Sequence, residues 1–537
     1  MSAPADGSLA GSQDIKQHFV TREGAYRNLV THEYSRPRLQ NSALSGAQQA
    51  NVPVRMSLVQ VADDQETGYP DRLLFNIGRE IFLYAFKSIW EVPDLAHPLD
   101  RQIHKALPTC HDINRVSCST QGCTVLIGFT TGSFHVTDPR KDPHIYNEDR
   151  MLDKTKVTCV KWIPGSLQQF LISFSSGQLF HCDDSLSWIT APPSYSLHKH
   201  GEGYAVYTTK SRSNRNPLYR WMIGEGSLNA FAFSPCNRYL ATAGHDGYLR
   251  VFVFDTMDLL GIARSYFGGL LCLCWSPDSK FVCCAGEDDL VHIWSVEYRR
   301  IVARGRGHRS WVTAVSFDPL TSCLTQDVIA GLADAGKNTG GGGNRPAGDA
   351  VSQRITTYRF ASVGQDTQIC LWELTDDIVK QSVVSRLRTG SAVLPMAPVL
   401  NPPFPLVPEK PAKEHNHRRN IPLLGGRFGD KSSSSSHAHN KHSASAPSSV
   451  AAPSRSESRD EGAGGGKMLG SWQCPKLDDV PLLEPLVCKR IAQERLNDIV
   501  FHDDCILIST QEGLIMTWAR PGRTPANHSS RQNSCSN

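Results

Sequence analysis

Apolar and polar residues alternate along residues 228–255, LNAFAFSPCNRYLATAGHDGYLRVFVFD, in three bursts separated by a Ser-Pro pair and an Asp-Gly pair. Alternation with period two lays one face of a strand against a core and turns the other away. The pattern predicts three successive strands, with Phe231 and Phe233 on the core face of the first and Leu249, Val251 and Phe252 in the third. Ser234-Pro235 starts the first turn because proline fixes φ and removes a donor. Asp246-Gly247 is a hairpin signal, since glycine tolerates positive φ. Residues 270–295, LLCLCWSPDSKFVCCAGEDDLVHIWS, repeat the pattern residue for residue, with Ser276-Pro277 at the turn.

From Leu228 to Leu270 the register is 42 residues. That lies within the about 40–45-residue period of WD repeats, each of which makes one four-stranded propeller blade, strands a to d. A third copy is split: Gly307-His308 and the strand 311–317 stand apart from strands at 358–364 and 367–372. This copy carries His308, Ser362, Asp366 and Trp372. Those types form a buried structural relay, the carboxylate accepting from His and Ser and the indole N–H bonded in turn. A Ser-His-Asp set also serves hydrolases. Here the spacing belongs to the repeat, and neither a nucleophile elbow nor an oxyanion loop accompanies it. No catalytic residue is assigned.

Weaker copies are read at 54–86, at 113–138 (with strand a at Ile113–Val116), at 157–182 and at 496–518, which makes about seven units. Propellers have about four to eight blades. The last unit stops after its third strand, because Trp518 is followed by Pro521 and a polar tail over 521–537. The missing fourth strand is expected from the N-terminal segment 1–52, with Ile15–Leu29, containing Phe19, Tyr26 and Leu29, as donor. Such closure removes open sheet edges. The expected fold is an all-β WD-repeat propeller over residues 53–520.

Three stretches interrupt the period: about 184–217 between strands c and d of one unit, about 320–356 between a and b of the His308 unit, and about 376–484 between its c and d. In a blade the a–b and c–d connections lie on one face, and the b–c and d–a connections on the other. All three insertions are therefore expected as disordered segments on one face, leaving the opposite face open to a partner. The longest contains the proline-rich 402–411, the serine run 432–436 and the glycine-rich 462–466, a composition that cannot bury enough apolar surface to fold alone. Its Lys410, Lys413, Arg418, Arg419, Arg427 and Lys431 read as a solvated basic stretch. His437, His439 and His442 lack the Cys or carboxylate companions of a metal site.

A net charge of +4 over 537 residues gives no case for nucleic acid. The sixteen cysteines have no framework spacing and read as small buried hydrophobes in a reducing compartment. Adjacent ones such as Cys283 and Cys284 point to opposite faces of a strand. Met1 to Gln17 lacks the apolar core of a secretory signal, and no apolar stretch reaches the ~20 residues of a membrane span. A soluble, intracellular protein with no cofactor, metal or membrane insertion is expected.

Several strings go beyond the generic repeat: TREGAYRNL (21–29), EYSRP (33–37), FNIGRE (75–80), PTCHD (108–112), VTCVKWIPGS (157–166), SYFGGLLCLCWSPDSKFVCCAGEDDLVHIWS (265–295), GHRSWVTAVSFDP (307–319), YRFASVGQDTQICLWELT (358–375) and DDVPLLEPLVCKRIAQERL (478–496). The chain resembles the WD repeat-containing protein 20 and dystrophia myotonica WD repeat-containing protein family across all the blades, though not in the insertions. The resemblance implies a non-catalytic cofactor that binds and activates ubiquitin-specific proteases of the twelve and forty-six type, together with a second WD-repeat protein. It places the protease contact on Phe267 and Trp311, which the repeat pattern puts on d–a loops of neighbouring blades. Exposed aromatics there suit an interface anchor. It also supports a nuclear export signal at Leu477, Val480, Leu482, Leu483, Leu486 and Val487, set among acidic residues, and hence shuttling between cytoplasm and nucleus.

Overall fold

The computed structural model describes residues 15–33, 52–61, 71–86, 97–119, 122–138, 141–188, 193–209, 215–321, 357–388 and 469–523. All of them belong to one compact unit. Blade 1 consists of Met56–Gln60, Asp71–Ile77, Glu80–Phe86 and Asp100–Ile103. Blade 2 is Pro108–Ile113, Val125–Phe129, Phe134–Asp138 and Lys141–Tyr146. Blade 3 pairs Val157–Trp162, Gln169–Phe174, Gln178–Asp183 and Tyr219–Ile223; blade 4 pairs Leu228–Phe233, Tyr239–Gly244, Tyr248–Val253 and Asp258–Arg264. Blade 5 has Leu270–Trp275, Phe281–Gly286, Leu290–Ser295 and Arg300–Arg306, and blade 6 has Val312–Asp318, Thr357–Gly364, Gln368–Thr375 and Val487–Arg490. Blade 7 takes Leu496–Phe501, Cys505–Thr510 and Leu514–Ala519 as strands a to c. The architecture is a seven-bladed β-propeller.

The apolar alternation read from the sequence fills the seams between blades. Each of seven buried clusters joins two neighbouring blades, the last joining Cys505, Leu507 and Ile515 of blade 7 to Met56, Leu73 and Phe75 of blade 1. Cys283 and Cys284 go to different clusters, on the blade 6 and blade 4 sides of blade 5. Two tryptophans show how tight the seams are. An added Cβ on Gly261 in strand d of blade 4 would lie 2.5 Å from the Trp294 ring in blade 5, and one on Gly305 would lie 2.8 Å from Trp372 in blade 6. Gly247 turns at positive φ as its Asp-Gly signal predicts, and Gly132, Gly177 and Gly513 hold the same place in other b–c turns, all four with φ between 80° and 96°.

The N-terminal segment closes the ring, as an antiparallel hairpin rather than a single strand. Gly24–Glu33 is strand d of blade 7, pairing Arg27 with Ala519 and Glu33 with Leu514, and His18–Thr21 adds a fifth strand outside it. Phe19 stacks on Tyr26 (ring centroids 4.9 Å apart) and leans on Trp518 (5.2 Å). Its turn is pinned to blade 6 by Arg359 Nη2–Glu23 Oε1 at 2.6 Å.

Four expectations need correction. Strand a of blade 2 is Pro108–Ile113, not Ile113–Val116: the Asn114 side chain accepts from Val116 N and Ser117 N, turning the chain there and leaving Val116 exposed. The insertion 184–217 is folded: Tyr195–Gly201 and Tyr204–Thr209 form a hairpin that widens blade 3 to six strands. The insertion 376–484 begins with a helix, Asp376–Arg388, and ends in an ordered segment from Leu469 onward. Cys118 and Cys123 are joined in a disulfide, so not every cysteine is a lone thiol. The basic run 410–431, the three histidines at 437–442 and the insertion 322–356 fall outside the described residues.

Candidate partner-binding face

The site assembles on the d–a and b–c side of blades 5 and 6, from the loop supports outward. Asp366, in the b–c loop of blade 6, sits 3.0 Å from His308 Nδ1; His308 Nε2 is 2.7 Å from Ser362 Oγ; Trp372 Nε1 donates to Ser362 Oγ at 2.8 Å. The relay runs indole to hydroxyl to imidazole to carboxylate. Ser362 bonds His308 and not Asp366, a different order from the one read in the sequence. Burial works against ionisation of Asp366, yet the His308 bond and the N–H groups of Arg309 and Gln368 hold it below the usual carboxylate range. Asp366 Oδ2 also accepts from Arg309 N (2.9 Å), and Trp311 O from Gln365 N (2.9 Å). The loop bearing Trp311 is thus clamped on both sides of the aromatic, while the indole itself is 43% exposed. The Ser362 hydroxyl is fully buried, the setting of a structural bond rather than a nucleophile.

Blade 5 repeats the device with other residues. Asp288 Oδ2 accepts from Tyr266 N (2.7 Å), Glu287 Oε2 accepts from Gly269 N (2.9 Å), and Ser265 Oγ donates to Gly268 O (2.6 Å). Gly268 turns the loop at φ +64°, where a Cβ would lie 2.8 Å from that of Glu287. Phe267 stands at the tip, 60% exposed. Behind it runs a buried chain: His292 Nε2 to Asp288 at 2.8 Å, Arg304 Nε donating to His292 Nδ1 at 3.1 Å, and Arg304 Nη1 donating to Pro475 O at 2.6 Å. Burial opposes charge on Asp288 too, but His292 and the N–H groups of Tyr266 and Leu290 depress its pKa.

That last bond reaches the returning end of the long insertion. Gln473 O accepts from Arg264 N at 2.9 Å, and Cys474 Sγ lies 3.4 Å from Ser265 O. Trp472 therefore stands beside the Phe267 loop, 46% exposed. The sequence reading passed over it; the signal was an aromatic-apolar island, WQCP, at the edge of low complexity. The face is also less bare than strand order implied. The tip of the blade 3 hairpin reaches it, Gly224 N donating to Gly203 O at 2.9 Å. Both insertions leave from the far face, but their described ends run alongside a strand d, which carries the chain back across the blade.

The six proposed export residues lie in this same returning segment, the last of them, Val487, buried at the start of strand d of blade 6. Leu477 is half-buried in a turn of 3-10 helix, Val480 and Leu483 are buried, and Leu482 and Leu486 are about half exposed. Leu482 and Leu483 pair in parallel with Arg304 and Gly305 of blade 5.

Seven antiparallel blades, a Trp-Ser-His-Asp relay and exposed aromatics on clamped loops define a WD-repeat propeller of the scaffold class. The family pattern described as WD domain, G-beta repeat matches residues 217–252 and 263–295. The chain is 40% identical to mouse WD repeat-containing protein 20 over 96% of its own length and 98% of that protein, and 31% identical to the Caenorhabditis elegans homolog over 95% and 83%. It belongs to the WD repeat-containing protein 20 family. A mitotic checkpoint complex structure is a looser likeness, with a TM-score of 0.47 at 8% identity and 97% coverage of both chains.

Proposed function

We propose that this chain is a non-catalytic scaffold that binds and activates a ubiquitin-specific protease of the twelve or forty-six type, as a regulatory subunit beside a second WD-repeat protein. The observation that carries the reading is the pair Phe267 and Trp311, exposed at the tips of clamped d–a loops on adjacent blades. Rigid aromatics anchor protein interfaces because they bury large area with little loss of freedom.

The test is affinity for the purified protease with a thermal melt on each variant. Phe267→Ala and Trp311→Ala should each cost about 2 kcal/mol or more of binding, roughly thirtyfold in Kd, with melting unchanged. Trp294→Ala, fully buried, should instead lose ~3–5 kcal/mol of stability. Parent-like binding by both loop variants would leave only a general adaptor. For shuttling, burial of Val480 and Leu483 means the export segment must peel from blade 5 before a receptor reads it. Blocking the export receptor should then concentrate the protein in the nucleus; an unchanged distribution rejects the signal.

A further inference from the structure

Strands c and d of blade 6 set two cysteines face to face. Cys370 and Cys488 are register partners, with their sulfurs 3.3 Å apart. In the same register Ile491 N donates to Thr367 O, so alternation makes Cys370 and Cys488 a non-hydrogen-bonded pair. At such pairs the Cα atoms approach to about 4.5 Å with side chains close, within the about 4.4–6.8 Å that a disulfide spans. The other opposed pair, Cys274 and Cys283, falls at a hydrogen-bonded position, because Ser276 N donates to Phe281 O in that register. There the side chains stand farther apart.

The two sulfurs are chemically unequal. Cys370 is buried and Cys488 half-buried. The bond donated by Cys370, outweighing the effect of partial burial, brings the Cys488 thiol down to about 7, while Cys370 is pushed up. A thiolate beside a protonated partner is the arrangement in which one sulfur attacks and the other resolves. While protonated, Cys488 Sγ donates to Gln368 Oε1 at 3.1 Å and to the carbonyl of Gly307, the residue before His308, at 3.5 Å.

We propose that Cys370 and Cys488 form a dithiol that hydrogen peroxide oxidises to a cross-strand disulfide. The Cys488 thiolate attacks one peroxide oxygen; the O–O bond breaks, leaving a sulfenic acid and a hydroxide that takes up a proton as water. The Cys370 thiol then attacks the Cys488 sulfur, the S–O bond breaks, and the Cys370 proton leaves with the departing hydroxide as a second water. Two thiols are oxidised and one peroxide is reduced to two waters. The bridge ties the two ends of the long insertion together at the root of the Trp311 loop.

The experiment treats the full chain with hydrogen peroxide, blocks remaining thiols, and maps peptides without reduction. The expected result is a Cys370–Cys488 linked peptide that dithiothreitol releases. In Cys370→Ser, which lacks the resolving thiol, a sulfenic acid at Cys488 should accumulate and be trapped by dimedone. The exposed Cys236 reports that oxidant reached the protein. Oxidised Cys236 with Cys370 and Cys488 still free in the parent overturns the proposal, as does linkage of Cys488 to any other cysteine. The parent map does not depend on how the serine variant folds.

Discussion

Removing the aromatic latch of the closing hairpin should loosen the blade that closes the ring. Phe19 is 2% exposed, yet it lies on a short outer strand held by four register pairs. Its ring touches Tyr26 and Trp518, so Phe19→Ala empties the space between the N-terminal hairpin and strand c of blade 7. A buried Phe→Ala change costs about 3–5 kcal/mol. Set against about 5–15 kcal/mol for a folded domain, that should lower the melting temperature by roughly 5–10 °C. Deleting residues 1–33 also removes Tyr26, the ladder to Leu514–Ala519 and the Arg359–Glu23 ion pair. That chain should be insoluble or unfolded. The assay is differential scanning fluorimetry, with exposed Val20→Ala as the control expected within ~0.5 kcal/mol. A Phe19→Ala protein that melts within a degree of the parent would refute the view that this contact holds the ring shut.

Three further outcomes are expected. Gly305→Val should destabilise by ~2 kcal/mol or more, since its side chain must displace the Trp372 ring; a normal melt would show that the blade 5–6 seam is loose. Asp366 and Asp288 have folded pKa values below their unfolded ones, so their stabilisation is complete above the unfolded value and is lost as pH falls below about 4. Asp366→Asn should melt lower at neutral pH but lose less on acidification, and parallel acid curves would contradict this. If the proposed protease docks on this face, deleting 389–468 should leave its binding intact, whereas Trp472→Ala in the full chain should weaken it severalfold; titration calorimetry distinguishes the two, and a Trp472→Ala variant of parent affinity would place that indole outside the interface.

Where local chemistry decides structure, the sequence was a sufficient guide. The Ser-Pro and Asp-Gly turns, the strands of blades 4 and 5, and the four relay residues were all legible, because turn geometry and period-two alternation are properties of a few consecutive residues. Strand a of blade 2 was displaced because Val116 looks apolar, while the Asn114 side chain, capping the turn, decides where the strand stops. The hairpin at 195–209 was hidden for a different reason: Leu197 is exposed and the strand's faces are mixed, so no alternation marks it. The support of Phe267 was invisible along the chain, since Arg304 and Pro475 are brought together only by the fold. The exposure of Phe267 and Trp311 was readable from loop position, whereas that of Trp472 required knowing where the insertion returns.

The pairing of Asn28 with Trp518 also has a consequence during synthesis. About 490 residues separate the two partners, and chains emerge at about 5–20 residues per second. Once made, the closing strand therefore waits roughly 25–100 seconds before its mate exists. Throughout that interval its aromatic residues and unpaired strand edge are available to any neighbouring nascent chain, which makes this hairpin a stretch for a chaperone to shield.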